Sequence, residues 1–177
     1  MRLSPLEDLT PSQTALRDLI TERRGGIHGP FQVLLRSPGL GVVAEALGTY
    51  CMGESALTPR VRELALLITA RRFDAQHSWV AHLGKATDTG IPAAALERLA
   101  RGDEPCFPDD EDDLVYRFAA SVLDEHFVSD DIFAAGLARF GESGLVDLIG
   151  LLGNVALLAM LLNAFQVELP PGARSPW

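Results

Sequence analysis

The run GLVDLIGLLGNVALLAMLLNAF, from Gly144 to Phe165, constrains this chain more than any other stretch. It is apolar around the whole circumference of a helix, so it must be covered on most sides or lie in a bilayer. Asp147, Asn154 and Asn163 interrupt it, and no cluster of Lys or Arg flanks it. Those features favour a helix buried in a core or an oligomer interface over a membrane span.

The rest of the chain supplies helices to cover it, and their starts are marked. Thr10-Pro11, Ser37-Pro38 and Thr58-Pro59 each put a hydroxyl at an N-cap before a proline at the first helical position. Gln13 completes a capping-box pattern with Thr10. This predicts a helix from Pro11 to Arg24, stopped by Gly25 and Gly26. A second runs from Pro38 to about Met52, with apolar Leu40, Val43, Ala44 and Leu47. A third runs from Pro59 to about Phe73, with apolar Val61, Leu64, Ala65, Leu67 and Ile68. HGPFQVLLRSPG reads as a loop around one helical turn. A helix from about Ala75 to Thr87 is broken by Gly90, and a short one follows from Pro92 to Gly102.

The acidic loop GDEPCFPDDEDD offers its last aspartates as caps for a helix from about Leu114 to His126. Ser129 is placed to cap a helix from Asp130 to Phe140, and Gly141 separates that helix from the apolar run. No stretch alternates as a strand does. The expectation is an all-α, single-domain helical bundle. Residues 1–28 form an N-terminal helix and loop, 29–167 the main helical domain and 168–177 an extended tail.

Composition narrows the partners. A chain of 177 residues can bury a substantial core. A net charge of -9 argues against nucleic acid and anionic membranes as partners. Cys51 and Cys106 lack metal-ligand spacing and suggest no disulfide framework. The start MRLSPLEDLTPSQ has no apolar h-region, so a cytoplasmic protein is expected.

Chemistry concentrates in FDAQHSWVAHLGKATDTGI, Phe73 to Ile91, which holds two of the four histidines. At about 100° per residue, Ala75, Ser78 and Trp79 lie within about 20°, 40° and 60° of His82, whereas His77 lies about 140° round. The two histidines therefore do not form an i,i+4 metal pair, and no metal site is expected. Glu63 sits inside the otherwise apolar RVRELALLITA. It either faces solvent beside Arg60, Arg62 or Arg71, or pairs with His82 on the following helix. Such a pair would hold an imidazole, which titrates near neutrality and suits proton transfer.

The run RELALLITARRFDAQHSWVAHLGKATDTGI resembles the signature region of the carboxymuconolactone decarboxylase family, whose superfamily includes the alkylhydroperoxidase D-like proteins. The resemblance continues through GPFQVLLRSPGL, FVSDDIFAAGLARFGESGLVDLIGLLG and LLNAFQV, roughly Gly29 to Val167. It implies an alkylhydroperoxidase D-like fold assembled as a homotrimer or homohexamer, with sites near subunit interfaces. Peroxidase members of the family carry Glu, then Cys-x-x-Cys, then His. Those positions are here Glu63, Ala75, Ser78 and His82, with His77 between the two vanished cysteines. The acid–base part is kept and the thiol pair is absent. Hydroperoxide reduction by that route needs an attacking thiolate and a resolving thiol.

The resemblance thus implies the family's decarboxylase style, a lyase needing no metal or organic cofactor, with a small lactone or unsaturated carboxylic acid as substrate. His82 would deliver the proton and Glu63 would set its tautomer. Trp79 would wall a dry pocket, where electrostatic effects strengthen, with Ser78 and His77 beside it. His28, in GGIHGPF, either is an exposed loop residue or reaches the pocket. A substrate anion needs a cation, for which Arg60, Arg62, Arg71 and Arg72 are candidates. Two other readings are a thiol-dependent hydroperoxidase and a non-catalytic, small-molecule-binding helical oligomer.

Overall fold

The computed structural model describes residues 1–177. It contains α1 (Pro11–Arg24), α2 (Phe31–Leu34), α3 (Pro38–Thr49), α4 (Pro59–Arg72), α5 (Gln76–Asp88), α6 (Ala93–Arg101), α7 (Asp110–Ala120) and α8 (Asp130–Ala164), and no strand. α3 and α7 run on into π-helical turns at Tyr50–Glu54 and Ser121–Glu125. The chain is all-α, as expected, and folds as one domain.

Local chemistry sets most of the helix starts. The Thr10 hydroxyl accepts from the Gln13 N–H at 3.4 Å while the Gln13 side chain accepts from the Thr10 N–H at 2.9 Å, closing the capping box. Thr58 accepts from the Val61 N–H at 3.3 Å. Two expected caps differ. Ser37 and Ser129 occupy N-cap positions without bonding the helix backbone, and the Ser129 hydroxyl donates to Asp131 instead. α7 begins earlier than Leu114 because Asp109 is its cap, accepting from the Glu111 and Asp112 N–H groups. Asp110 to Asp113 then fill the first turn, where the helix dipole favours negative charge. Gly141, at φ 68 and ψ 177, adopts a conformation open essentially to glycine alone and divides α8 into arms 130–140 and 142–164.

Two apolar cores meet along α8. The larger is built around α4, which is buried along most of its length, and includes Leu64, Leu67, Ile68, Trp79, Leu148, Leu151 and Leu152. The smaller consists of Leu16, Ile20, Phe31, Leu34, Leu35 and Ala44, covered by Leu157, Leu158 and Leu161 of α8. α1 is therefore integral to the domain rather than appended to it.

α3 buries its small residues, Gly41, Ala44 and Gly48, together with Glu45, and turns Leu40, Val43 and Leu47 outward. A Cβ on Gly41 would collide with Leu16, so the glycine face is what allows α3 to approach α1. The outward residues join Val146, Ile149 and Met160 of α8 among the exposed apolar side chains; Val43 is 64% and Val146 71% exposed. α8 is the one helix long and apolar enough to cross a membrane, and half of its most apolar stretch is buried within the fold. The tail over 168–177 lacks regular structure yet is docked. Trp177 meets Trp79 edge-on with centroids 5.4 Å apart, and the Arg71 guanidinium lies 4.8 Å from the Trp177 ring centroid.

Candidate functional site

Burial of α4 leaves Glu63 a carboxylate with almost no access to water, so it must find a partner within the protein. The turn at Phe73–Ala75, with Asp74 at φ 50, folds α5 back against α4. That hairpin brings His82 Nδ1 to 2.7 Å from Glu63 Oε2. A carboxylate only accepts, so Nδ1 carries the proton in the neutral ring and Nε2 is left free. The solvated alternative, Glu63 beside an arginine, is not what forms.

His82 lines a cavity of about 240 Å³ at the seam between the two cores. Leu66 and Val155 reach it from the larger core, Phe31 and Leu158 from the side of the smaller one. Its polar residues are Arg24, His28, His77, Ser78, His82 and Asn154. Three of the chain's four histidines and one arginine thus converge, with no Asp or Glu on the wall. In a protein of net charge -9, this concavity gathers basic side chains and has no acid on its wall, the nearest carboxylates being those already bonded to His82 and Arg24.

The expected single face of α5 divides at this seam. Trp79 and Ala86, at about +60° and +40° from His82, point into the larger core. Ser78, Ala81 and His77, at about -40°, -100° and -140°, face the cavity. Trp79 is accordingly not a pocket wall: it is 1% exposed and packs on Trp177. His77, about 140° round the helix from His82 but expected beside the pocket from the resemblance, shares the cavity with His82. Gly29 makes room for it, because at φ 55 the loop backbone presses on the ring and an added Cβ would lie 2.7 Å from His77 Cε1. Burial pushes the His77 imidazole below its ordinary value, and the neighbouring His82 and His28 add to the fall, so the ring is neutral at pH 7. His28 is an exposed loop residue that also reaches the cavity, so both of its readings hold at once.

The expected cation is elsewhere. Arg60 is bidentate on Asp112 at 2.6 and 2.9 Å. Arg71 bonds Asp74 and the Ala100 carbonyl, and Arg72 bonds Asp124. None of these, nor Arg62, lines the cavity. Arg24, at the end of α1, does. Its Nε lies 3.4 Å from Glu45 Oε1, and its guanidinium lies 4.6 Å from the Phe31 ring centroid. Glu45 is fully buried and also takes Arg23 at 2.7 Å and the Thr49 hydroxyl at 2.8 Å. Two guanidinium groups thus share this one buried carboxylate, and Glu54 lies on the same outer pocket as both arginines.

Asn154 is the other residue that sequence reasoning missed. It is 3% exposed, and its Oδ1 is buried without a hydrogen-bond partner. The signal for Asn154 was its polarity within an apolar run; Arg24 carried none.

Neither cysteine fits a peroxidatic role. Cys51 is buried in the larger core, and burial, reinforced by Asp147, pushes its thiol up, away from thiolate. Cys106 is exposed and is not on the cavity wall. No three His, Cys, Asp or Glu side chains converge as a metal-ligand set. A wider groove of about 1050 Å³ shares His28, Gly29, His77 and Ala81 with the cavity but does not include His82. No family model matches the chain, and no curated protein matches it.

Proposed function

We propose that this chain is a cofactor-free lyase of the carboxymuconolactone decarboxylase type, acting on a small lactone or unsaturated carboxylic acid by proton transfer through His82. The observation that carries the proposal is the 2.7 Å Glu63–His82 pair on a cavity lined by three histidines and Arg24 and free of acids. The Glu63, Ala75, Ser78 and His82 spacing supports the same reading, through its resemblance to that family.

In the reaction, the bond between the substrate carbon and its carboxylate breaks. Carbon dioxide leaves, and the bonding pair delocalises into the conjugated carbonyl. His82, as imidazolium, then gives a proton to carbon, and Glu63 holds the ring in the orientation that aims Nε2 at the cavity. Neutral His77 donates or accepts a hydrogen bond without adding charge, and Arg24 supplies the attraction for the substrate anion.

The fold reading that goes with this function is the alkylhydroperoxidase D-like bundle, associated through the α3 and α8 faces into a homotrimer or homohexamer. Its support is the set of large apolar side chains that α3 and α8 turn to solvent, Val43, Val146 and Met160 among them. Multi-angle light scattering that gives a clean monomer would remove the assembly.

The function is tested by the turnover of carboxymuconolactone, followed by ultraviolet absorbance, with the wild type and His82→Ala. Turnover that falls by about 10²-fold in the variant is the expected result. A folded wild type that leaves the lactone intact would sink the decarboxylase assignment.

A further inference from the structure

The groove beside the His82 cavity is much the larger hollow, about 1050 Å³ against about 240 Å³. Residues 1–9, which have no regular structure, cross it as a strap. The strap is tied at three points. The Arg2 N–H donates to the Phe165 carbonyl at 2.8 Å, the Arg36 guanidinium donates to the Ser4 carbonyl, and Thr10 is fixed as the cap of α1. On that path Leu3, Leu6 and Leu9 line the groove together with Ile27, Leu35 and Leu169 and leave it unfilled. Apolar walls around an open hollow gain free energy when an apolar group covers them.

The groove and the cavity share His28, Gly29, His77 and Ala81. Gly29 and Ala81 have no side chain that can swing, so the two imidazoles are the adjustable part of the common wall. On a separate set of residues, Arg24, Gly48 and Met52, the cavity meets an outer hollow whose wall is completed by Arg23, Thr49, Gly53 and Glu54. Polarity therefore falls from the arginine-bearing mouth, through the His82 cavity, to the leucine-lined groove. Glu7 and Glu168 stand on the groove wall, whereas the cavity wall has no acid, so the carboxylate of a ligand belongs in the cavity.

We infer that the ligand of this site is an amphipathic acid. Its carboxylate lies at Arg24, and its apolar chain passes His28 and His77 into the groove beneath the strap. This rests on the cavity being the reacting site, and it narrows the substrate class: the small acid unit of the proposed reaction becomes the head of a longer molecule. The cavity then reads the head and the groove reads the chain.

The test is binding of two acids that differ only in chain length, hexanoate and dodecanoate. Neither has the conjugated carbonyl that decarboxylation needs, so turnover does not disturb the equilibrium. Both are titrated by calorimetry into the wild type, Leu3→Asp, Leu169→Asp and Arg24→Met, with thermal melts confirming folding. Half the free energy of full methylene burial gives about twofold per methylene, so the wild type is expected to bind dodecanoate on the order of 50-fold more tightly. Leu3→Asp and Leu169→Asp each put a charge beside the chain and should cut that ratio to below about tenfold. Arg24→Met should weaken both acids by a similar factor and leave the ratio in place.

Equal affinity for the two acids in the wild type would overturn the inference, as would binding of neither. So would a chain-length ratio that survives in both aspartate variants, because the chain would then lie elsewhere, as on the outer faces of α3 and α8. An Arg24→Met variant that binds both acids like the wild type would overturn the placement of the head. The expected ratios in a protein that leaves carboxymuconolactone intact would keep the amphipathic ligand and refute the lyase assignment. Lactone turnover without the chain-length ratio would do the reverse.

Discussion

Asp147 and Asn154 lie two turns apart on the same apolar arm of α8, and both are buried. Their surroundings differ completely. Asp147 sits in the larger core's margin and is satisfied: Tyr50 donates its hydroxyl to one carboxylate oxygen at 2.8 Å, and the Ala56 N–H donates to the other at 2.8 Å. It ties the π-helical turn after α3 to α8. Asn154 sits at the seam between the cores, and its oxygen has no partner. A polar residue that completes its bonds within the chain is part of the scaffold. One that leaves a buried oxygen without a bond carries a cost that the scaffold does not recover. Glu63 and His82 combine the two cases, since the carboxylate is satisfied by the ring while the ring keeps one nitrogen free.

Substitutions can break or sharpen that contrast. The largest effect is expected from Asp147→Leu, which strands the Ala56 N–H and unties Tyr50. Loss of two hydrogen bonds to a charged group should cost about 3 kcal/mol of stability in urea titration. A cost below about 1 kcal/mol would remove Asp147 from the scaffold class. Glu63→Gln should come next. Glutamine keeps the shape but gives the ring a weaker acceptor, so kcat should fall about tenfold with KM little changed. A change confined to KM would show that Glu63 shapes binding rather than aiming the ring.

Asn154→Leu should have the opposite sign to Asp147→Leu. Removing an unpartnered buried carbonyl should raise stability by about 1 kcal/mol. A destabilised Asn154→Leu variant would mean that the amide is a scaffold group after all.

The smallest effect concerns His77, whose folded-state value lies below its ordinary value of about 6.5. The unfolded chain then binds the proton more readily than the folded one. The contribution of this ring to stability is full above about pH 6.5 and is lost as pH falls toward the folded value. Melting temperature should therefore drop more steeply on acidification in the wild type than in His77→Gln. Equal slopes would show that the ring is solvated rather than held in the cavity.

Much of this was open to reading along the chain. Thr10 with Gln13, Thr58 and Gly141 mark element ends through interactions within a few residues, so their outcome is contained in the local sequence. Glu63 and His82 belong to consecutive helices joined by a short turn, so their pairing was one of the two arrangements the chain left open. The cap at Ser129 failed for a local reason as well. The Ser129 hydroxyl found the Asp131 side chain instead of the helix backbone. The exposed outer face of α3 misled differently, because Gly41 and Gly48 make the small-residue face the one that fits against α1 and α8.

The sequence by itself determined an all-helical chain and the main helix boundaries, because each depends on hydrogen bonds and periodicity over short separations, and it left Glu63 between an arginine and His82. Only the tertiary structure decided where α5 divides between core and cavity, sending Trp79 to one and His77 to the other. It also decided that Arg24, rather than the arginines near Glu63, faces the pair's cavity, and that Asp147 is bonded while Asn154 is not. Those outcomes depend on how α1, α3 and α8 pack against one another. Residues far apart in the chain meet there, and no spacing along the sequence encodes the meeting.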